Sequence, residues 1–383
     1  MKDYTFKVPQ DIVFGVGSLK RLPELLEKSG SKKMMVVSDR GLEKLGVVQK
    51  VLDIVEAEGI ETVSFLDILP NPTVDMVNAA TKVYKESGAT SIVALGGGSP
   101  MDVAKAVGVL ARYGGSITEY EGAHLVPGPI EPIIAIPTTA GTGSEVTNIS
   151  ILELKSRHTK LGLAEPALFA DAAVLIPELL QGLPFRFFAT SSIDALIHAV
   201  ESYLSPKANA FTRMYSTKAI HMILGGYKRI AAEGEEARMV DLKEFQLAST
   251  FAGIAFGNAG CAAVHAMSYP LGARYHVPHG ESNYAIFTEV LKTYLRLAPE
   301  GRIQQLNAML AEILACDKSA VYDELETLLN HLCPKKALHE YGVSQEELED
   351  FTENVMTSQG RLMANNYTEI DRDEVRAIYE RLY

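Results

Sequence analysis

The sequence predicts an α/β fold in two parts, a parallel-sheet domain over residues 1–185 and an all-helical domain over 186–383. Three observations carry that prediction. Short, nearly continuous apolar runs alternate with helix-period segments through the first half. Two of those runs end in loops rich in glycine and hydroxyl residues. Past about residue 185, β-branched runs become scarce and segments turn long and helical in period. A chain of 383 residues also exceeds the roughly 250–300 at which one core stops growing.

The elements follow in order. KKMMVVSD (32–39) is an apolar β run ending at a polar turn, and LEKLGVVQKVLDIVEAEG (42–59) has apolar positions at three- and four-residue spacing, so it predicts one helix. ETVSFLDIL (61–69) predicts a second strand, and VDMVNAATKVYKESG (74–88) a helix ending in glycine. TSIVALGGGS (90–99) is a third strand running into glycines, PIIAIPTTAGTGS (132–144) repeats that plan, and FADAAVLIPELL (169–180) adds another strand. GLPFRFFAT (182–190) is the expected crossing into the helical half. No repeat or flexible linker separates the halves, so a ligand cleft between them is expected.

Composition excludes several classes. A net charge of −12 with no Lys/Arg cluster argues against a nucleic-acid partner. Cys261, Cys316 and Cys333 are odd in number and widely spaced, which fits a reducing cytosol and no disulfide framework. MKDYTFKVPQ has no apolar signal core, and no stretch of about 18 uncharged apolar residues occurs. The expectation is a soluble cytoplasmic protein with no membrane partner.

SIVALGGGSPMDVAK (91–105) carries the phosphate signal. A strand empties into Gly96, Gly97, Gly98 and Ser99, then a helix expected to begin near Pro100. Met101 stands where G-x-G-x-x-G needs its last glycine, so the dinucleotide fingerprint is absent. The second loop, IPTTAGTGSEVT (136–147), offers Thr138, Thr139, Thr142 and Ser144 hydroxyls. Two such loops would meet at the carboxyl edge of one sheet. Asp39 is a candidate acceptor for ribose hydroxyls, favouring NAD over NADP, if residues 36–40 lie beside 96–99; otherwise it reads as a helix cap.

SSIDALIHAVESYL (191–204) predicts a helix capped by Ser191 or Ser192, with Asp194 and His198 one turn apart on one face. Apolar neighbours imply that this face is buried, and a buried Asp needs a strong partner. FAGIAFGNAGCAAVHAMSYPLG (251–272) predicts a closely packed helix with His265 well inside it, and His279 follows Pro278 at the start of the next. One Asp and three His suit Fe²⁺ or Zn²⁺. Spacing alone does not choose between His276 and His279.

Together GGGSPMDVAK, PTTAGTGSEVT, DALIHAVESY and HAMSYPLGARYHVPHG resemble the iron-containing, or group III, alcohol dehydrogenases, in order and over essentially the whole chain. TSSIDALIHAVESYLSPKANAFTRMYS, FAGIAFGNAG and YHVPHGESNY are most similar to the 4-hydroxybutyrate dehydrogenases of that family. The resemblance implies a dehydroquinate synthase-like fold, an NAD-binding α/β domain with an all-helical metal domain, in a homodimer. It puts the metal ligands at Asp194, His198, His265 and His279, leaving His276 outside. It puts cofactor contacts at Asp39, Gly97, Gly98, Ser99, Asp102, Thr138, Thr139, Thr142, Ser144 and Lys160. Two positions depart from the family pattern: Tyr269 replaces a frequent further His, and Ile176 replaces an Asp before Pro177.

The expected chemistry is metal-assisted hydride transfer between NAD(H) and a small primary alcohol or aldehyde carrying a carboxylate, 4-hydroxybutyrate and succinic semialdehyde. Tyr269 or His276 is expected to pass the proton, and Arg361 to pair with the carboxylate, ahead of Arg157, His158 and Arg186. The alternatives are the same chemistry on a neutral alcohol such as butanol, propanediol or lactaldehyde, and a dehydroquinate synthase-like lyase. The lyase would call for several Lys and Arg around the metal, and few are there.

Overall fold

The computed structural model describes residues 4–9, 11–155 and 159–383. It divides into two compact units, Lys7–Leu183 and Pro184–Tyr383, the latter joined by the start of the chain up to Phe6.

In the first unit the strands are β1 (Asp11–Phe14), β2 (Lys33–Val37), β3 (Glu61–Phe65), β4 (Ser91–Gly96), β5 (Ile133–Pro137), β6 (Ile149–Leu154), β7 (Thr159–Ala164) and β8 (Ala172–Leu175). Its helices are α1 (Leu22–Lys28), α2 (Arg40–Lys44), α3 (Val47–Glu56), α4 (Val74–Ser87) and α5 (Gly98–Tyr113). Six strands form a parallel sheet in the order β1-β8-β5-β4-β2-β3. Strand periodicity explains the unbroken apolar runs. In β2, Met34 and Val36 join a core with Leu22, Leu26, Val48 and Val51, while Met35 and Val37 join one with Val77, Ala80, Val103 and Val107. Helices therefore cover both faces.

Three features differ from the sequence reading. The single helix expected over 42–59 breaks into α2 and α3 at Gly46, which takes φ 71° where a side chain would be strained. Strand β1 was not foreseen; it is only four residues long and is recognised by pairing Asp11–Phe14 with β8. An antiparallel ribbon of β6 and β7, Ile149 opposite Ala164, also escaped the strand patterns.

The second unit comprises α6 (Phe185–Leu204), α7 (Ala210–Glu233), α8 (Leu242–Ala259), α9 (Ala263–Tyr275), α10 (His279–Leu297), α11 (Arg302–Leu314), α12 (Val321–Asn330), α13 (Glu347–Ser358), α14 (Gly360–Met363) and α15 (Arg372–Leu382). Helix α6 starts directly after Pro184, a turn and a half before the expected serine cap. Ser191 and Ser192 instead donate to the carbonyls of Phe188 and Ala189, at 3.1 and 3.2 Å, inside the helix. The helix expected over 251–272 is two helices, α8 and α9, bent by 106° at Gly260, whose φ is 81°. His265 consequently stands in the first turn of α9, not within a long helix. The corner's carbonyls are satisfied: Asn365 Nδ2 donates to Ala259 and Cys261 at 2.9 and 3.1 Å, and Ser205 Oγ to Ala259 at 2.7 Å. No single helix among the described residues is long and apolar enough to cross a membrane.

Adjacent glycines in α7 report how closely α7 and α8 approach. A Cβ on Gly226 would lie 2.4 Å from Cζ of buried Phe245, whereas one on exposed Gly225 meets nothing within 4 Å. Gly226→Ala should lose about 1–3 kcal/mol of stability by overpacking, and Gly225→Ala should gain up to about 1 kcal/mol from helix propensity. Urea unfolding of the pair checks this; equal midpoints would contradict the packing.

Candidate functional site

In the helical unit, Asp194 and His198 share one face of α6, His265 comes from α9 and His279 opens α10. One donor atom from each lies within 4.8 Å of every other. Asp194 Oδ1 stands 3.7 Å from Nε2 of both His265 and His279, and Oδ2 stands 3.9 Å from His198 Nδ1. His276, the alternative left open by spacing, caps α9 at φ 53° and is exposed, outside this group.

Other side chains hold these rings in place. Glu201 Oε2 lies 2.6 Å from His265 Nδ1, while Oε1 accepts from the backbone N–H of Val264 at 2.7 Å. That pairing puts the proton on Nδ1 and turns the Nε2 lone pair toward Asp194. The His198 ring stacks between Phe256, at 4.1 Å, and His265, at 4.7 Å. Asn283 Nδ2 donates to Asp194 Oδ1 at 2.7 Å and stands 3.2 and 3.3 Å from Nε2 of His265 and His279. Ser268 Oγ donates to Asn283 Oδ1 at 2.5 Å, which fixes the amide's orientation. Neither Glu201 nor Asn283 was singled out from sequence. Glu201 lies three residues beyond His198 on α6, and Asn283 four beyond His279 on α10, and these i+3 and i+4 spacings, each one helical turn, were the available signal.

The electrostatics are those of a site short of positive charge. Burial alone would raise the Asp194 carboxyl, but three imidazoles pull it below the usual carboxylate range. Burial alone would lower His198 and His265, but carboxylates and the Cys261 thiol raise both, His265 strongly. His198 Nδ1 is buried without a hydrogen-bond partner among the described residues. A buried carboxylate and three imidazole nitrogens, that of His198 among them, form a donor set that fits a borderline divalent ion.

Tyr269 lies on α9 with its ring 6.2 Å from that of His279. Burial raises its phenol, partly opposed by His265 and Arg361, so it stays protonated near neutrality. Arg361 is exposed on α14 and has no ion pair among the described residues. Arg186 pairs with Glu281 at 3.4 Å, and Arg157 and His158 lie outside the described residues.

In the sheet unit, the chain goes from β2 outward to β3 and returns to β4 on the other side of β2, so the strand order reverses between β2 and β4. Ligands of open α/β sheets bind at the carboxyl ends beside such a reversal. Asp39 follows β2 and Gly96 ends β4, with Val37 opposite Ala94, so residues 36–40 lie beside the glycine turn as the reading of Asp39 required. One Asp39 oxygen nevertheless caps α2, accepting from Leu42 N–H at 3.0 Å. Ser38 Oγ, buried at the same edge, has no hydrogen-bond partner among the described residues.

Helix α5 begins at Gly98, two residues earlier than expected, and its N-terminus has no side-chain cap. Ser99 therefore stands in its first turn, where free N–H groups and the helix dipole favour an anion. Gly96 takes φ 148°, and a Cβ on Gly98 would lie 3.0 Å from Thr142 Cγ2, so the glycine and hydroxyl loops touch. Thr138 N–H donates to the Gly96 carbonyl at 3.0 Å, and Thr139 faces Gly97. Asp102 has both oxygens engaged, by Ser144 Oγ at 3.1 Å and Ile151 N–H at 3.2 Å. Lys160 Nζ donates to Asn71 Oδ1 at 3.4 Å. Ile176 begins a short 3-10 turn over Pro177–Leu180, so its departure from the family pattern concerns that turn alone.

A strand-order reversal beside an uncapped helix N-terminus, with an Asp–His group around a buried carboxylate on a helical unit, is the arrangement of dinucleotide- and metal-dependent oxidoreductases. The chain belongs to the iron-containing alcohol dehydrogenases: residues 9–177 match "iron-containing alcohol dehydrogenase", and 188–383 match the C-terminal region of that family. It is an NAD-dependent enzyme of the alcohol dehydrogenase type, and the family's cofactors are NAD(H) and iron. It is 48% identical over 316 residues to the 4-hydroxybutyrate dehydrogenase of Clostridium kluyveri, covering 82% of this chain and 84% of that protein. A crystal structure of 1,3-propanediol oxidoreductase superimposes with TM-score 0.93 at 29% identity, covering 100% of both chains. Sulfoacetaldehyde reductase from Bifidobacterium kashiwanohense, in complex with NAD⁺, gives 0.87 at 26% identity, covering 100% of this chain and 99% of that one.

Gly280, directly after His279, tests how tightly α10 meets α6. A Cβ there would lie 1.9 Å from the Thr190 carbonyl oxygen and 2.7 Å from its carbon, backbone atoms that no rotamer can clear. Gly280→Ala should cost about 3 kcal/mol, the upper end for overpacking, in urea unfolding. A wild-type midpoint would mean that α10 does not start this close to α6.

Proposed function

We propose that this protein interconverts 4-hydroxybutyrate and succinic semialdehyde, with the Lys7–Leu183 unit binding NAD(H) and Asp194, His198, His265 and His279 holding a divalent ion. The convergence of those four donors on three helices is the observation that carries the chemistry. Similarity to the Clostridium kluyveri enzyme supports the substrate. When bound, the ion supplies Lewis acidity toward a carbonyl or hydroxyl oxygen, and the nicotinamide supplies or accepts hydride.

The chain's own residues do the rest. Glu201 and Asn283 orient His265 and Asp194, so the donors are arranged before an ion arrives. Tyr269, held protonated by burial, gives a proton to the alkoxide formed in reduction and regains it in oxidation. Arg361, exposed and without an ion pair among the described residues, pairs with the substrate carboxylate. On the sheet unit, the first turn of α5 takes the diphosphate, Thr138, Thr139, Thr142 and Ser144 line the neighbouring loop, and Asp39 meets the ribose. Work in the cytoplasm fits three free cysteines, and a homodimer is proposed from the family resemblance.

Metal-stripped protein reloaded with Fe²⁺ or Zn²⁺ should oxidise NADH with succinic semialdehyde, measured by absorbance. Equal or better rates on butanal would favour the neutral-alcohol reading. Arg361→Ala should lose turnover on succinic semialdehyde while keeping it on butanal; equal loss on both would remove the carboxylate role. Glu201→Ala should weaken metal affinity about 10–100-fold in a chelator competition, and unchanged affinity would show that Glu201 does not orient His265.

A further inference from the structure

Lys105, two turns into α5, is 1% exposed and among the largest fully buried side chains of the chain. A lysine is almost never fully buried unless its ammonium is paired. Its Nζ donates to the carbonyls of Ser144 and Ile149, both at 2.8 Å, and faces Ser144 Oγ at 3.0 Å and Thr147 Oγ1 at 3.3 Å. Every acceptor lies in the stretch from the end of the hydroxyl loop to the start of β6. Asp102, one turn earlier on α5, accepts from Ser144 Oγ and Ile151 N–H and so grips the same stretch. The helix that begins with the glycine loop is thus tied to the hydroxyl loop through one buried amine.

We propose that Lys105 is a positioning residue for the dinucleotide, its ammonium holding the 138–147 loop against the start of α5 so that NAD(H) affinity depends on the protonation of this one amine. This rests on the cofactor reading given above. Proton counting explains the dependence. An ammonium has three N–H groups: two satisfy the carbonyls, which can only accept, and the third is shared by the two hydroxyls. A neutral amine has two, and its lone pair then faces an acceptor or forces Ser144 Oγ to turn away from Asp102.

The charged groups facing this amine are Asp102 on α5 and Glu145 within the hydroxyl loop, with Lys160 of β7 beyond Asp102. Burial pulls the amine down to about 8 against the attraction of both carboxylates. Burial pushes the Asp102 carboxyl up to about 6 against the pull of Lys105. The sign follows: the ammonium is intact below about 8 and is lost as pH rises through it. NADH affinity should hold on the neutral side and fall above it, by up to about tenfold per pH unit for a single proton.

The test is the Kd for NADH, read by nicotinamide fluorescence on the full chain from about pH 6.5 to about 9.5, for wild type, Lys105→Met and Thr147→Val. Wild type should weaken through about pH 8. Lys105→Met should bind about tenfold or more weakly near pH 7, without the step, and should raise the KM for NADH more than it lowers kcat. Thr147→Val removes one acceptor of the amine while keeping the side-chain shape; it should weaken NADH a few-fold and move the step, which decides the matter if Lys105→Met does not fold. A flat wild-type profile, wild-type affinity in Lys105→Met, or an unshifted step with wild-type affinity in Thr147→Val would each overturn the proposal. If wild type bound no NADH at any pH, the cofactor reading itself would fall, and this role with it.

Discussion

A carboxylate taken out of water must be surrounded by positive charge, hydrogen-bond donors or a cation, and Asp194 is 2% exposed. Three imidazoles and the amide of Asn283 answer that requirement, and they come from three helices. The arrangement of α6, α9 and α10 follows from it. Helix α9 turns sharply away from α8 at Gly260, which places His265 in its first turn beside α6. Helix α10 meets α6 at Gly280, where only a missing side chain permits the approach. Glu201 repeats the pattern one layer out, its buried carboxylate paired at once with a ring nitrogen and a backbone N–H.

The sheet unit meets the same constraint with the opposite sign. Lys105 is a buried cation, and its demand for acceptors draws the hydroxyl loop and β6 onto α5. The glycines permit the loops to touch, and the buried amine gives them a reason to stay in contact. At the same sheet edge, among the described residues, the N-terminus of α5 lacks a side-chain cap and Ser38 Oγ lacks a hydrogen-bond partner. Polar groups left unsatisfied at the carboxyl end of a parallel sheet mark where a ligand completes the structure.

The sequence readings that held were those in which local spacing and function coincide. Asp194 and His198 at i, i+4 declare one face of a helix wherever that helix sits, and GGGS after an apolar strand declares a tight turn into a helix. The readings that failed concern breaks and beginnings. LEKLGVV and GNAGCAA keep helical spacing on both sides of a glycine, so periodicity runs through the points where Gly46 and Gly260 turn the chain. Ser191 and Ser192 look like caps only if the helix begins there, and Pro184 starts it earlier.

By itself the sequence determined the α/β-then-helical order, the two loops of the sheet edge, the Asp–His pair of α6 and the family. These rest on patterns a few residues long, in which chemistry and spacing are read together. Spacing left His276 and His279 open, the family resemblance pointed to His279, and the fold brings it to Asp194; tertiary structure alone decided that Glu201 and Asn283 serve the group and that Lys105 reaches across to Ser144 and Ile149. Each of those is a contact between groups distant along the chain. His276 and His279 are equally placed in sequence, and the left-handed turn at His276 with the helix start at His279 separates them in space. A buried Lys on an otherwise apolar helix face is legible as an anomaly, but its partners are named only once the fold brings them to it.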